Sequence, residues 1–146
     1  MFVSFFPTPR AFFWSATLWT LLAVLLWYGA ATDAGHLIGL ENPPEGTPPI
    51  IGVPVFWSKP FLWFYIYYGM TVGLFAGIWR WLSPHPWFSW AVLGSALIIF
   101  IVYFLVQVSV AVNAWYGPFY DLVQAALSKS RPVTQAEFYL ELLTFA

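Results

Sequence analysis

Two glutamates near the end of the sequence, Glu137 and Glu141, have the spacing that best fits proton chemistry. They lie four residues apart, so a helix would place them on one face. Neighbouring carboxylates in a low-dielectric site raise an apparent pKa, which is what proton uptake requires. Both are therefore proton-coupling candidates. Glu137 also fits a capping role, because Thr134 lies three residues before it, and that alternative stays open.

The stretch NAWYGPFYDLVQ, residues 113–124, combines an amide, a proline, a carboxylate and four aromatic rings. Flat rings suit proline-rich ligands, because a preformed extended helix docks onto aromatic surfaces at little entropic cost. The same rings could instead anchor helix ends among lipid headgroups, and both interpretations stay open. The candidate substrate or cavity residues here are Asn113, Trp115, Tyr116, Tyr120 and Asp121, the last of which also fits a solvated or capping group.

Two further features indicate contacts between helices. Gln107 lies within a long uncharged run, where an unpaired amide facing lipid costs several kcal/mol, so we expect it to contact a neighbouring helix or a wet cavity. Gln107 could hydrogen-bond to a neighbouring helix or contact a substrate, and both interpretations stay open. Gly69, Gly73 and Gly77 recur every four residues, a small-residue track that predicts close helix packing with an unspecified partner.

The sequence gives little support for metal binding, catalysis, ATP binding or nucleic-acid binding. The chain has no Cys, and its two histidines, His36 and His85, fall in separate predicted loops on opposite sides of a membrane, so we predict no metal site and no catalytic constellation. No G-x-x-x-x-G-K-[ST] phosphate loop is present, which predicts no ATP site in this chain. Five basic against six acidic residues argue against a nucleic-acid partner. We expect no cofactor and no enzymatic activity.

The elements that must position these residues are membrane helices. The chain is 61% hydrophobic and only 8% charged, far from a soluble domain, so membrane lipid is its expected partner. We predict an all-α, polytopic helical bundle with three full transmembrane helices. Their predicted ranges are about 11–31, 61–82 and 89–115, followed by an interfacial amphipathic helix at 118–128 and a fourth helix from 135. In this scheme Asn113 ends the third helix and Pro118 begins the amphipathic one.

Loop charges predict the orientation of these helices. Arg10 precedes the first helix and Arg80 follows the second, so both are expected on the cytoplasmic side, together with the hairpin SPHP at 83–86. The loop 32–59 contains Asp33, Glu41 and Glu45 and is too rich in proline and glycine for regular structure. We therefore expect a cytoplasmic N-terminus, with the loop 32–59 and residues 113–133 outside.

A family resemblance adds to this interpretation. The sequence from Gly94 to Tyr139, GSALIIFIVYFLVQVSVAVNAWYGPFYDLVQAALSKSRPVTQAEFY, resembles the signature region of the SbmA/BacA family of bacterial peptide-antibiotic transporters. The beginning, SFFPTPRAFFWSA, resembles the N-terminus of that family. Residues 113–127 also resemble, more weakly, a pattern in the membrane domains of ABC-type exporters.

The resemblance implies an inner-membrane homodimer with an exporter-like helical bundle that imports peptides using the proton gradient. Implied substrates are microcins, proline-rich antimicrobial peptides and bleomycin-like drugs. Family members continue with further helices, so residues 1–146 are expected to be the N-terminal part of one transmembrane domain, truncated within the fourth helix, with most coupling carboxylates beyond it. The alternatives are a non-transporting membrane assembly subunit and an ABC-type exporter membrane domain.

Overall fold

The computed structural model describes residues 8–44 and 46–145, and within them every regular element is helical. Predictions that fall on residues 1–7, on Glu45 and on Ala146 lie outside the described residues. The α-helices that carry the fold are α1 (Pro9–Leu26), α2 (Lys59–Leu82), α3 (Phe88–Ser128) and α4 (Gln135–Phe145). The predicted all-α fold class is confirmed.

The first helix extends further than the sequence predicted. After α1, the chain continues through a π-helical turn (Trp27–Ala31), a short α-helical turn (Thr32–Ala34) and a 3₁₀ turn (Gly35–Ile38). Gly39, at φ 77°, ends the helix. The Gly39 N–H bonds the His36 carbonyl, and the Leu40 N–H bonds the Gly35 carbonyl, which together satisfy the last turn. The predicted end at residue 31 is therefore wrong, because a left-handed glycine, rather than polar Thr32 and Asp33, stops the helix.

Three of the helices are long and apolar enough to cross a membrane within the described chain: Pro9–Ile38, Lys59–Leu82 and Phe88–Ser128. In each helix, only 6% of an apolar 18-residue window is buried within the chain. Exposed leucines, isoleucines and valines cover the outside of these helices instead. Such a surface is stable against lipid and not against water, so the chain is a membrane protein.

The chain forms two compact units, and the first comprises residues 1–43 and 59–101. Its core is an aromatic cluster in which Phe12 contacts Trp79, with ring centroids 5.2 Å apart, and Phe88, with centroids 6.3 Å apart. Between α2 and α3 the chain turns at 83–87, where the Phe88 N–H bonds the His85 carbonyl. The predicted hairpin at SPHP is confirmed, because two prolines cannot continue α2.

The main departure from the sequence prediction is that α3 is a single helix of 41 residues with Pro118 inside it. The sequence predicted a helix ending at 115 and a separate amphipathic helix at 118–128, and both boundaries are wrong. A proline removes one main-chain hydrogen bond, but buried Trp115 and Leu122 hold the helix on either side of it. At about 1.5 Å per residue, α3 is roughly 60 Å long, about twice the thickness of the hydrocarbon core.

The second unit comprises residues 44–58 and 102–146. Its buried residues are Phe56, Ala111, Trp115 and Leu122. Phe56 lies in a 3₁₀ turn (Val53–Trp57), and its ring packs on Phe104 with centroids 4.8 Å apart. Gly52, at φ 87°, passes so close to the Thr144 main chain that a side chain at this position would clash. This approach joins the loop segment to the end of α4.

Candidate functional site

The stretch 113–124 lies within α3, and its side chains divide between two opposite faces of the helix. Trp115 and Leu122 are buried together with Ala111, which lies four residues before Trp115. Asn113, Tyr116 and Tyr120 are exposed and follow the i, i+3, i+7 spacing of one helical face. We call these three residues the tyrosine face.

Trp115 is a packing residue, not an exposed ring. Its side chain is 9% exposed. The ring stacks on Phe119, with centroids 4.7 Å apart, and contacts Phe145 of α4 at 5.6 Å. Its indole N–H donates to the Glu141 carbonyl oxygen at 2.9 Å. The prediction that Trp115 offers its ring to a peptide does not fit this burial, because its contacts with α4 were not visible in the sequence.

The tyrosine face has the opposite character. The rings of Tyr116 and Tyr120 lie 5.6 Å apart with 33° between their planes, and the two side chains are 43% and 61% exposed. Within the described residues, neither phenol nor the amide of Asn113 makes a hydrogen bond. These three predicted residues therefore form one polar and aromatic strip, which is exposed in the described part of the chain. It places Asn113 inside α3, whereas the sequence predicted that Asn113 ends a helix.

Asp121 and Gln107 do not belong to the tyrosine face. Asp121 is exposed but points about 100° away from Tyr120, since consecutive residues of a helix differ by that angle. Gln107 is half-buried, and its amide makes no hydrogen bond to any described residue. The expected polar partner of Gln107 is not found in this portion of the chain.

Glu137 caps α4. Its carboxylate accepts hydrogen bonds from the Arg131 guanidinium at 2.7 Å and from the Thr134 hydroxyl at 3.2 Å. The main-chain N–H of Thr134 reaches the same carboxylate at 3.4 Å, while the Thr134 hydroxyl accepts from the Glu137 N–H at 3.4 Å. These reciprocal bonds are the predicted capping box. The hydrogen bond from Arg131 is the main cause that lowers the pKa of the Glu137 carboxyl.

Glu141 differs from Glu137 in its surroundings, although both lie on α4. Its side chain is half-buried, and its carboxylate has no hydrogen bond or ion pair within the described residues. Its main-chain carbonyl is the acceptor for Trp115. Of the two proton-coupling candidates, Glu141 is the one whose carboxylate is not already engaged.

The glycine track of α2 is uncovered in this chain. Apart from the adjacent residues and the nearby backbone of α2 itself, no described heavy atom comes within 4 Å of a Cβ built at Gly69, Gly73 or Gly77. Within the first unit, these glycines therefore do not pack closely against α1 or against the beginning of α3.

The sequence analysis missed a set of aromatic donors that join the helices of the first unit. Trp19 donates to the Thr71 carbonyl at 3.1 Å, Trp63 to Ala31 at 2.6 Å, Tyr67 to Ala23 at 2.6 Å and Tyr68 to Ala96 at 2.7 Å. The signal was present, because a tyrosine hydroxyl within an apolar helix must find an acceptor. Trp63 makes one of these bonds, and Trp79, whose indole donates to Ser15, is buried.

Fold and site together define a polytopic helical membrane protein with an exposed polar and aromatic strip on its longest helix. Residues 84–146 match the model of the SbmA/BacA-like family. The match contains α3 and α4, and with them the tyrosine face and both glutamates. It confirms the resemblance seen in the sequence over these residues.

The matched family is one of peptide transporters. The SbmA/BacA family is a family of transporters rather than of enzymes. Within the described residues, no group of three or more His, Cys, Asp or Glu side chains is arranged to hold a metal ion.

Proposed function

We propose that this chain is part of a proton-driven transporter that imports antimicrobial peptides across the bacterial inner membrane. The observation that carries the proposal is that the tyrosine face, exposed and without hydrogen bonds in the described chain, lies inside the segment that matches the SbmA/BacA-like family. Microcins, proline-rich peptides and bleomycin-like drugs are the proposed cargo. Two tilted phenol rings beside an amide offer an extended peptide both flat apolar surface and hydrogen bonds.

The proposed orientation places the N-terminus in the cytoplasm and brings the tyrosine face to the outer side. Arg10 and Arg80, at the ends of α1 and α2, favour the cytoplasmic side. From Phe88, about 20 residues of α3 cross the hydrocarbon, which takes the chain to about residue 108. Residues 113–124 would then lie beyond the hydrocarbon, where an imported peptide arrives.

We assign proton coupling within this chain to Glu141. Glu137 is held by Arg131 and Thr134, which favour its ionised form and leave it little freedom to exchange protons near neutral pH. Glu141 is half-buried and has no such partner in the described residues. The uncovered glycine track of α2 supports a homodimer, because small residues without an in-chain neighbour let a second helix approach closely.

Uptake by proteoliposomes tests the proposal. We expect the full-length protein to accumulate a fluorescent proline-rich peptide when a proton gradient is imposed, without ATP. The double variant Tyr116→Ala/Tyr120→Ala should insert normally and lose most of this uptake. Tyr139→Ala is the matched control, because Tyr139 is a 66% exposed tyrosine on α4.

Each arm of the assay can reject a separate part of the proposal. Uptake that is unchanged in the normally inserted double variant rejects the tyrosine face as a peptide contact. Transport that needs ATP and ignores the proton gradient would support the ABC-type alternative. Absence of any peptide movement by the intact protein favours a membrane assembly subunit.

A further inference from the structure

A crevice lies between α1, α2 and the first turns of α3, entirely within the first unit. Its volume is about 490 Å³, within the range of roughly 300–1,000 Å³ that small-molecule sites occupy. The residues that line it include Ala16, Trp19, Val72, Phe75, Ala96 and Ile99. It contains none of the residues assigned to peptide transport above.

The walls of the crevice offer almost no hydrogen bonds to an occupant. None of the lining residues is charged. The polar side chains among them already donate to main-chain carbonyls: Trp19 to Thr71, Tyr68 to Ala96, Thr71 to Tyr68 and Thr20 to Ala16. Ser95 is the exception among the described lining residues. A polar occupant would lose its bonds to water without replacement, so the crevice fits a hydrocarbon chain.

An arginine lies beside this apolar space. Arg10 lines a second hollow at the start of α1 together with Phe13, which also lines the crevice. Arg10 is exposed and takes part in neither of the two ion pairs found among the described residues. A guanidinium binds phosphate with two parallel hydrogen bonds, and the end of a membrane helix is where phospholipid phosphates lie.

We propose that this crevice binds one acyl chain of an anionic phospholipid whose phosphate is held by Arg10. The apolar wall selects the hydrocarbon, and the adjacent guanidinium of Arg10, which has no ion pair among the described residues, selects the anionic headgroup. A protein helix fits less well. A helix with its side chains is about 10 Å across, so 490 Å³ admits only a little over one turn.

Native mass spectrometry of the full chain in mild detergent tests the site, with added phosphatidylglycerol and phosphatidylethanolamine as probes. We expect one retained phospholipid, with a preference for phosphatidylglycerol. Ser95→Phe places a ring in the crevice and should lower retention severalfold. Leu97→Phe is its control, because Leu97 lies two residues away and is 58% exposed without lining the crevice.

The headgroup contact is tested separately. Arg10→Gln should reduce the preference for phosphatidylglycerol about tenfold, the size expected for one charge-assisted hydrogen bond, while Arg10→Lys keeps most of it. Equal retention of the two lipids by the unmodified chain, or an unchanged preference in Arg10→Gln, overturns the role of Arg10.

Equal lipid retention by Ser95→Phe and Leu97→Phe overturns the location of the acyl chain. The location is also overturned if the unmodified chain retains no phospholipid, whether it is a monomer or a dimer. Where Ser95→Phe does not fold, a phospholipid with a photoactivatable acyl chain decides the question in the unmodified protein. Crosslinks at Ala16, Val72 or Ala96 support the site, and crosslinks confined to other residues reject it.

Discussion

The indole N–H of Trp115 donates to the main-chain carbonyl oxygen of Glu141 at 2.9 Å, joining α3 to α4 across 26 residues of sequence. This bond links the packed side of α3 to the backbone of the residue proposed for proton coupling. A change at Trp115 is therefore expected to affect the position of Glu141 as well as the packing of the second unit. Tyr120, on the opposite side of α3, lacks this connection.

Truncation of Trp115 should destabilise the second unit. Trp115→Phe loses the hydrogen bond but keeps an aromatic ring, at a cost of about 1 kcal/mol. Trp115→Ala also leaves a cavity and should cost about 3–5 kcal/mol. Thermal unfolding in detergent, followed by circular dichroism, measures both. Trp90→Ala is the control, because Trp90 is 77% exposed. Similar loss of stability at Trp90 and Trp115 would contradict the burial of Trp115.

The capping of α4 should depend on pH. Arg131 lowers the folded-state pKa of Glu137 from its ordinary value of 4.5. A carboxyl whose folded pKa is lowered stabilises the fold above its unfolded pKa, and this stabilisation is lost as the pH falls through the folded pKa. The capping box should therefore be intact at neutral pH and weaken below about pH 4.5.

A titration of the Glu137 carboxyl carbon by NMR measures this pKa directly. Arg131→Gln should raise it toward the ordinary value, whereas Lys129→Gln, which removes a nearby charge outside the ion pair, should leave it nearly unchanged. An identical pKa in the Arg131→Gln variant would show that the ion pair is not formed in the membrane.

The continuity of α3 through Pro118 predicts a distance. Spin labels at Val110 and Leu127, which are 57% and 80% exposed, lie 17 residues apart on one helix. Their Cα atoms should be about 26 Å apart. A chain turn at Gly117 and Pro118 would give a markedly shorter distance. Pro118→Ala should leave the distance unchanged, because the helix already passes through this position.

The glycine track should matter for assembly and not for the fold of the single chain. Because no described atom outside the adjacent backbone of α2 lies within 4 Å of a Cβ at Gly73, Gly73→Leu should give the same yield of folded protein as Met70→Leu, a change at an exposed position of α2. In the full-length protein we expect Gly73→Leu to shift a dimer toward monomer in sedimentation experiments. A loss of folded monomer would show a close neighbour within the chain.

The proposed topology can be tested with single cysteines, because the chain has none of its own. Pro48→Cys lies in the outer loop of the proposal, and His85→Cys lies in the cytoplasmic hairpin. An impermeant maleimide added to intact cells should label the first and not the second. Labelling of both cysteines from outside contradicts the orientation.

Local signals in the sequence were sufficient for some elements and not for others. Thr134 and Glu137 form their capping box from residues three apart, so the start of α4 could be predicted within one residue. Pro118 misled the prediction, because whether a proline breaks a helix depends on packing around it, here the burial of Trp115 and Leu122. The side of α3 on which Trp115 lies was likewise undetermined, since its partners Glu141 and Phe145 are distant in sequence.

The hydrogen bonds of the aromatic donors in the first unit are more sensitive to mutation of the donor than to mutation of the acceptor residue. The acceptors of Trp19, Trp63, Tyr67 and Tyr68 are main-chain carbonyls, which every amino acid supplies. Replacement of Ala23, Ala31 or Ala96 by a similarly small residue therefore keeps the bond, whereas replacement of the aromatic partner removes it. We therefore expect the acceptor positions to tolerate substitution by small residues, and the donor positions to tolerate few substitutions.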